Sequence, residues 1–308
     1  MMKLSFFLLF SLVASGIASQ VNPLVWNSSA WQPKDGQLFE TTIKLGYLSG
    51  RTVRVWVPSN YTRSKTSYDV VYFHDGQMLF DSTNTWNHQS WNLAEVGKKY
   101  LRKKKVILVG IDNAPLNRYA EFFPAPIFPK LPAQVQLALR DSLWNGLPLF
   151  ESYTNALTKE VFPLIEQNFK VNTGGAHRYM AGSSMGAIVS FTFLLTHPNE
   201  LSGVACLSMH LPLIDYWRFK NRFKEPISNT FNAFVKEKSM NIENKRIYID
   251  RGDQSLDEVY DDYFVSFEQL LLPMKEKNNL WVKLIPNSGH SERDWSRRIG
   301  PIIKTIIK

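Results

Sequence analysis

"RYMAGSSMGAIVS" (residues 178–190) decides how this chain is read. An apolar, strand-like run from Arg178 to Gly182 meets two adjacent serines, and an apolar helical run begins at Met185. In a Gly-x-Ser-x-Gly turn the chain passes so tightly from strand to helix that the central serine adopts a strained backbone conformation. Residues two before and two after it must then be small. With Ser184 at the centre those positions are Gly182 and Gly186; with Ser183 they are Ala181 and Met185, and Met185 is too bulky. Sterics therefore select Ser184 as the candidate nucleophile. So short a pattern also arises by chance, as an ordinary connection rich in small residues, and it gains weight only from its setting.

Working outward, short apolar runs recur on both sides: "DVVYF" (69–73), "VILVGI" (106–111), "GVACLSM" (203–209), "RIYID" (246–250) and "LWVKLI" (280–285). Runs of this kind suit strands of a parallel sheet buried on both faces. Helical spacing appears between them, in "YTNALTKEVFPLIEQNF" (153–169) and in "MGAIVSFTFLLTH" (185–197), which is apolar nearly all round. A last helix begins in "ERDWSRRIGPIIKTIIK", with a kink or restart expected at Pro301. Near the start, "TTIKLGYL" (41–48) and "RTVRVWVP" (51–58) flank Ser49-Gly50 and read as an antiparallel hairpin. The expected class is α/β: a mostly parallel, doubly wound sheet led by an N-terminal antiparallel hairpin.

A serine hydroxyl is a poor nucleophile at neutral pH. It needs a base to take its proton and donors to hold the oxyanion that develops. In such a fold the partners follow in the order serine, acid, histidine, each just after a later strand. His290, in "LWVKLIPNSGHSERDW", falls after the final strand and before the final helix, where the base belongs. His197 ends a helix and His210 follows the next strand, so both read as structural; His88 and His177 lie in connecting segments. After "RIYID", the stretch "DRGDQSLDEVYDDYF" offers Asp250, Asp253, Asp257 and Glu258, and spacing does not separate Asp253 from Asp257 as the acid. The oxyanion donors fall on the N–H of Met185, at the start of the helix, and on that of Gln77 in "VVYFHDGQMLFD", where Gly76 lets the loop turn. His74 and Asp75 read as turn formers.

Three blocks, "VVYFHDGQMLFD", "YMAGSSMGAIVSF" and "PNSGHSERDWSRRI", resemble the "Putative esterase" (esterase D-like) family of α/β-hydrolases, which includes feruloyl, acetyl-xylan and siderophore esterases. A fourth, "YIDRGDQSLDEVY", is similar to the family's Gly-x-x-x-Leu-Asp stretch, and that resemblance favours Asp257 over Asp253 as the acid. "VGIDNAPLNRYAEFFP" is similar to a family segment that lines the cleft. Ala187 stands where the family has a third glycine, and the segment 211–244 matches no family block. The resemblance implies an ester hydrolase, with acyl transfer to an alcohol as the neighbouring activity and a catalytically silent binding protein as the alternative of another class.

The first residues, "MMKLSFFLLFSLVASGIASQ", combine Lys3, an apolar run and small residues ending at Ala18. That is the layout of a signal peptide over residues 1–18, and it predicts export to the periplasm or beyond. The remainder, 19–308, shows no repeat or linker and reads as one domain, in which the long segments 113–151 and 211–244 are candidate covers for a cleft. Cys206 is the single cysteine, so no intrachain disulfide forms, and its apolar setting marks a buried thiol. A net charge of +9, densest in "LRKKKV" and between Arg218 and Lys224, suits anionic polymers or surfaces but carries no nucleic-acid motif. No cluster has metal-ligand spacing, and no cofactor is implied. The expected partner is a small-molecule or polymer-linked ester.

Overall fold

The computed structural model describes residues 25–46, 48–141, 146–240 and 242–308. The signal peptide expected at 1–18 lies outside the described residues. Among these, nine strands form one sheet: β1 (Asn27–Ser28), β2 (Gln37–Ile43), β3 (Arg51–Val57), β4 (Asp69–Phe73), β5 (Val106–Ile111), β6 (Arg178–Ser183), β7 (Gly203–Leu207), β8 (Arg246–Gly252) and β9 (Asn279–Ile285). Their spatial order is β1-β2-β3-β5-β4-β6-β7-β8-β9. The contacts β1·β2, β2·β3 and β3·β5 are antiparallel, and every contact from β5 to β9 is parallel. This is the expected mixed sheet of the α/β-hydrolase fold, led by antiparallel strands.

Burial follows the sequence pattern at the centre and departs from it at the edges. All residues of β5, β6 and β7 are buried, as continuous apolar strands require. β9 is an edge strand, so "LWVKLI" is only partly covered and Leu284 lies largely exposed. The hairpin differs in register: Gln37 pairs with Val57 and Ile43 with Arg51, so the first strand spans 37–43 rather than 41–48. Beyond Ile43 the chain leaves the ladder because Leu45 and Leu48 turn into the core. The final helix, Glu292–Ile306, runs through Pro301. Pro301 is exposed, while Ile299, Ile302, Ile303 and Ile306 bury one face, and that packing outweighs the lost hydrogen bond.

The helix Met185–Thr196 is buried from Met185 to Leu195 and packs on β6 and β7. β4, β6, β7, β8 and β9 all point their C-terminal ends the same way. The loops that leave those ends are therefore gathered at one edge of the sheet, where α/β proteins place their sites.

Candidate active site

Ser184 stands between β6 and the helix Met185–Thr196 with φ 56 and ψ −123, a conformation that costs a side-chain-bearing residue on the order of 1–3 kcal/mol. Its backbone is fully engaged: its N–H donates to the Leu207 carbonyl (3.0 Å), and its carbonyl accepts from the N–H groups of Ala187, Ile188 and His210 (3.1–3.3 Å). A Cβ on Gly182 would lie 2.4 Å from the Gly186 carbonyl oxygen, so only glycine permits this crossing. Ser183 is buried within β6. Met185 opens the helix, and its N–H belongs to the first turn, where no intrahelical acceptor exists.

His290 is carried by the loop between β9 and the final helix, which Ser291 caps by accepting the Asp294 N–H. The His290 N–H donates to Ser255 Oγ (2.9 Å), and its Nδ1 lies 2.6 Å from Asp257 Oδ1. Trp295 and Tyr260 meet the imidazole edge to face, with centroids 5.0 and 5.8 Å away. A carboxylate at Nδ1 fixes the proton there and leaves Nε2 as the basic nitrogen.

Asp257 is 0% exposed and sits in the turn Ser255–Tyr260 that follows β8. Its Oδ2 accepts from Ser208 Oγ (2.5 Å) and from the Gly252 N–H (2.7 Å). Burial pushes its carboxyl up, but the hydrogen bond and charge of His290, with the Ser208 and Gly252 donors, outweigh burial and hold it below the usual range. Asp253 is exposed and turned the other way, accepting the Ser288 N–H (3.3 Å). Of the two aspartates that spacing left open, Asp257 is the one brought to His290. Asp250 is buried in β8 and pairs with Arg298 instead (2.9 Å).

On the other side of Ser184, the loop after β4 is pinned by Asp75. This residue has φ 57 and accepts from Arg118 Nε and Nη2 (2.7 and 2.8 Å) and from Asn113 Nδ2 (2.5 Å). Burial raises the Asp75 carboxyl, yet the Arg118 guanidinium beside it leads the effects that hold it below its ordinary value. Gln77 Oε1 accepts the Asn113 N–H (3.2 Å), tying the same loop to the strand end of β5. Asp75 is thus more than a turn former, and the cue for its role, Arg118 in the segment after β5, is distant in sequence. His74 Nδ1 meets the Tyr153 hydroxyl (2.8 Å) below this loop, and burial pushes its pKa down to about 4.

Ser184, His290, Gln77, Arg118, Trp86 and Trp295 line one open cleft of about 620 Å³. Trp86, 82% exposed, stands at its rim. His210 lies behind Ser184, its N–H donating to the Ser184 carbonyl. Its Nε2 faces the Ile214 carbonyl (3.0 Å) and its Nδ1 the Tyr260 hydroxyl (2.6 Å). Among the described residues, no cluster of His, Cys, Asp or Glu could hold a metal ion, and no helix is long and apolar enough to cross a membrane.

The family model described as "Putative esterase" matches residues 49–302. An uncharacterized protein of Bacillus subtilis (strain 168), YbbA, is 26% identical over 158 residues, covering 51% of this chain and 56% of that relative. The match thus spans little more than half the length of that curated relative. A ferulic acid esterase structure superposes with a TM-score of 0.61 at 17% identity, over 90% of this chain and 98% of its own. The enterobactin esterase of Shigella flexneri, in the presence of 2,3-dihydroxy-N-benzoyl-glycine, does so with a TM-score of 0.59 at 16% identity, over 89% of this chain and 60% of its own. At these identities the two structures speak for the fold.

Proposed function

The chain belongs to the "Putative esterase" family of carboxylic-ester hydrolases, and from that premise we propose that Ser184, His290 and Asp257 act as a Ser-His-Asp triad on an acyl ester bound in the cleft. His290 Nε2 takes the Ser184 proton as Oγ attacks the ester carbonyl. Asp257, bonded to Nδ1, holds the imidazole in the required tautomer and stabilises the imidazolium. The N–H groups of Met185 and Gln77 receive the oxyanion. His290 then returns its proton to the departing alkoxide, and water, activated by His290 in turn, hydrolyses the acyl-enzyme. The observation that carries this reading is the 2.6 Å contact between Asp257 and His290, the latter lining the same cleft as Ser184.

The substrate we infer is an ester borne on a small molecule or a polymer, such as a carbohydrate-linked or siderophore ester. The exposed Trp86 at the rim offers a flat face to a sugar or aryl ring, and the fold is shared with a ferulic acid esterase and an enterobactin esterase. Residues 19–308 act as one domain in this reading, and the segment after β5 walls the cleft through Asn113, Pro115 and Arg118. The leader at 1–18 directs export to the periplasm or beyond. A panel of acyl esters assayed with the wild type and with Ser184→Ala and His290→Ala tests the proposal. Hydrolysis lost in both variants is the expected result, and hydrolysis retained by Ser184→Ala contradicts it. Added alcohol acceptors separate hydrolysis from transfer by the product formed.

A further inference from the structure

Asp257 is held from behind by more than its own loop. The Ser208 hydroxyl that reaches its Oδ2 lies just past β7, 0% exposed, and is itself met by Trp295 Nε1 and Arg298 Nη2, each at 2.9 Å. A hydroxyl has one proton and two acceptor lone pairs, whereas an indole N–H and a guanidinium only donate. Both lone pairs are therefore taken, and the one proton of Ser208 has a single destination, Asp257 Oδ2. We propose that Ser208 and Arg298 are positioning residues for Asp257: they dictate which way its second oxygen is bonded and so reserve Oδ1 for His290. The inference rests on the reading of Asp257 as the acid of the triad.

Arg298 is equipped for this task by its other contacts. Its Nε and Nη2 grip both oxygens of Asp250 (2.9 and 3.0 Å), and its Nη1 donates to Ser288 Oγ (2.7 Å). Asp250 also accepts the Ser208 N–H (2.9 Å) and the Tyr248 hydroxyl (3.1 Å). One guanidinium thus joins β8, the end of β7 and the loop that carries His290. Because Asp250 neutralises the arginine, the assembly supplies Asp257 with direction and donors more than with net charge. Trp295 belongs to the same assembly, with its N–H on Ser208 and its ring against His290. Each of these donors is planar or fixed by burial, so the orientation of the hydroxyl is set before substrate arrives.

Ser208 provides a clean test because its φ is 45. Glycine suits that conformation, so Ser208→Gly removes the hydroxyl and relaxes the backbone rather than straining it. With one donor fewer, the Asp257 carboxylate directs more of its charge at His290 and favours the protonated base, so the acid limb of kcat/KM moves to higher pH, by about half to one unit. Among the described residues, the ionisable groups around the pair are Tyr260 from the turn and His210 from the loop after β7, with Glu292 and Arg118 on the same cleft as His290, and Asp250, Tyr248 and Arg298 grouped behind Ser208. All of them are unchanged in this variant.

Loosened aim of His290 costs kcat about 10- to 100-fold and leaves KM nearly unaltered. Arg298→Lys keeps the charge beside Asp250 but loses the fork that also reaches Ser208 and Ser288, and it moves the same limb with a smaller loss of kcat. Wild-type kcat and pH profile in a folded Ser208→Gly protein overturn the proposal. Should that variant fail to fold, an unmoved limb in Arg298→Lys overturns it. An inactive Ser184→Ala protein beside a fully active Ser208→Gly protein defeats the positioning role alone. An active Ser184→Ala protein defeats the triad reading beneath it.

Discussion

The turn around Ser184 and the loop around Asp257 belong to the same candidate site but are specified in opposite ways. At Ser184 the backbone decides: a Cβ on Gly182 would collide with Gly186, and the serine is left with φ 56 in the one place such a crossing permits. At Asp257 the partners decide. Its carboxylate is fixed by His290 from the loop after β9, Ser208 from the end of β7 and Gly252 from β8, with Trp295 and Arg298 behind Ser208. A local steric rule can be read along the chain, whereas a site assembled from four elements cannot.

The contrast is sharpened by substitutions on either side of it. Ser184→Ala removes the proposed attacking atom, and kcat should fall by about four orders of magnitude or more, measured against any ester the wild type turns over. Asp257→Asn keeps the shape but leaves an amide where His290 needs a carboxylate, and a loss of about 10³- to 10⁴-fold in kcat is expected. Gly182→Ala should be felt in stability before chemistry, by a few kcal/mol (about 2 or more) in denaturant unfolding, since a backbone atom and not a flexible side chain is in the way. A tolerated alanine would break the steric account of the turn.

Acid should expose a weakness in two buried supports of the site. His210 behind Ser184 and His74 beneath the loop of Gln77 each have a pKa lowered by burial from 6.5 to about 4. A depressed value means that the unfolded chain takes up the proton first. Their contribution is therefore complete above pH 6.5 and is lost as pH falls through about 4, on the order of 2–3 kcal/mol for each. Urea unfolding between pH 7 and pH 4 should show that decline, and His210→Asn should flatten it. The smallest effect belongs to Asp253→Asn: activity within about twofold of wild type, since an exposed side chain on the Ser288 N–H is all that changes. A large loss there would reverse the assignment of the two aspartates.

The same division explains what could be read in the sequence. The central strands and the buried helix were legible because continuous apolar runs have few other uses, and Ser184 was legible because two glycines exclude its neighbour. The hairpin register was not, since Leu45 continues the alternation of Thr41 and Ile43 after the ladder has ended. β9 looked like a central strand because an edge position is a property of the sheet and leaves no mark on "LWVKLI". Spacing alone could not separate Asp253 from Asp257. Ser208 and Arg298 are not legible as site residues, because their contact joins residues 90 positions apart and "WSRRIG" gives no sign of which arginine turns inward.

Labelling with a fluorophosphonate, with the adduct located by mass spectrometry, tests the central claim most directly. The nucleophile proposed here should carry the adduct on the peptide that contains Ser184, and His290→Ala should abolish or strongly slow the labelling. An adduct on Ser183 or elsewhere, or labelling of Ser184 that is indifferent to His290→Ala, would contradict the account.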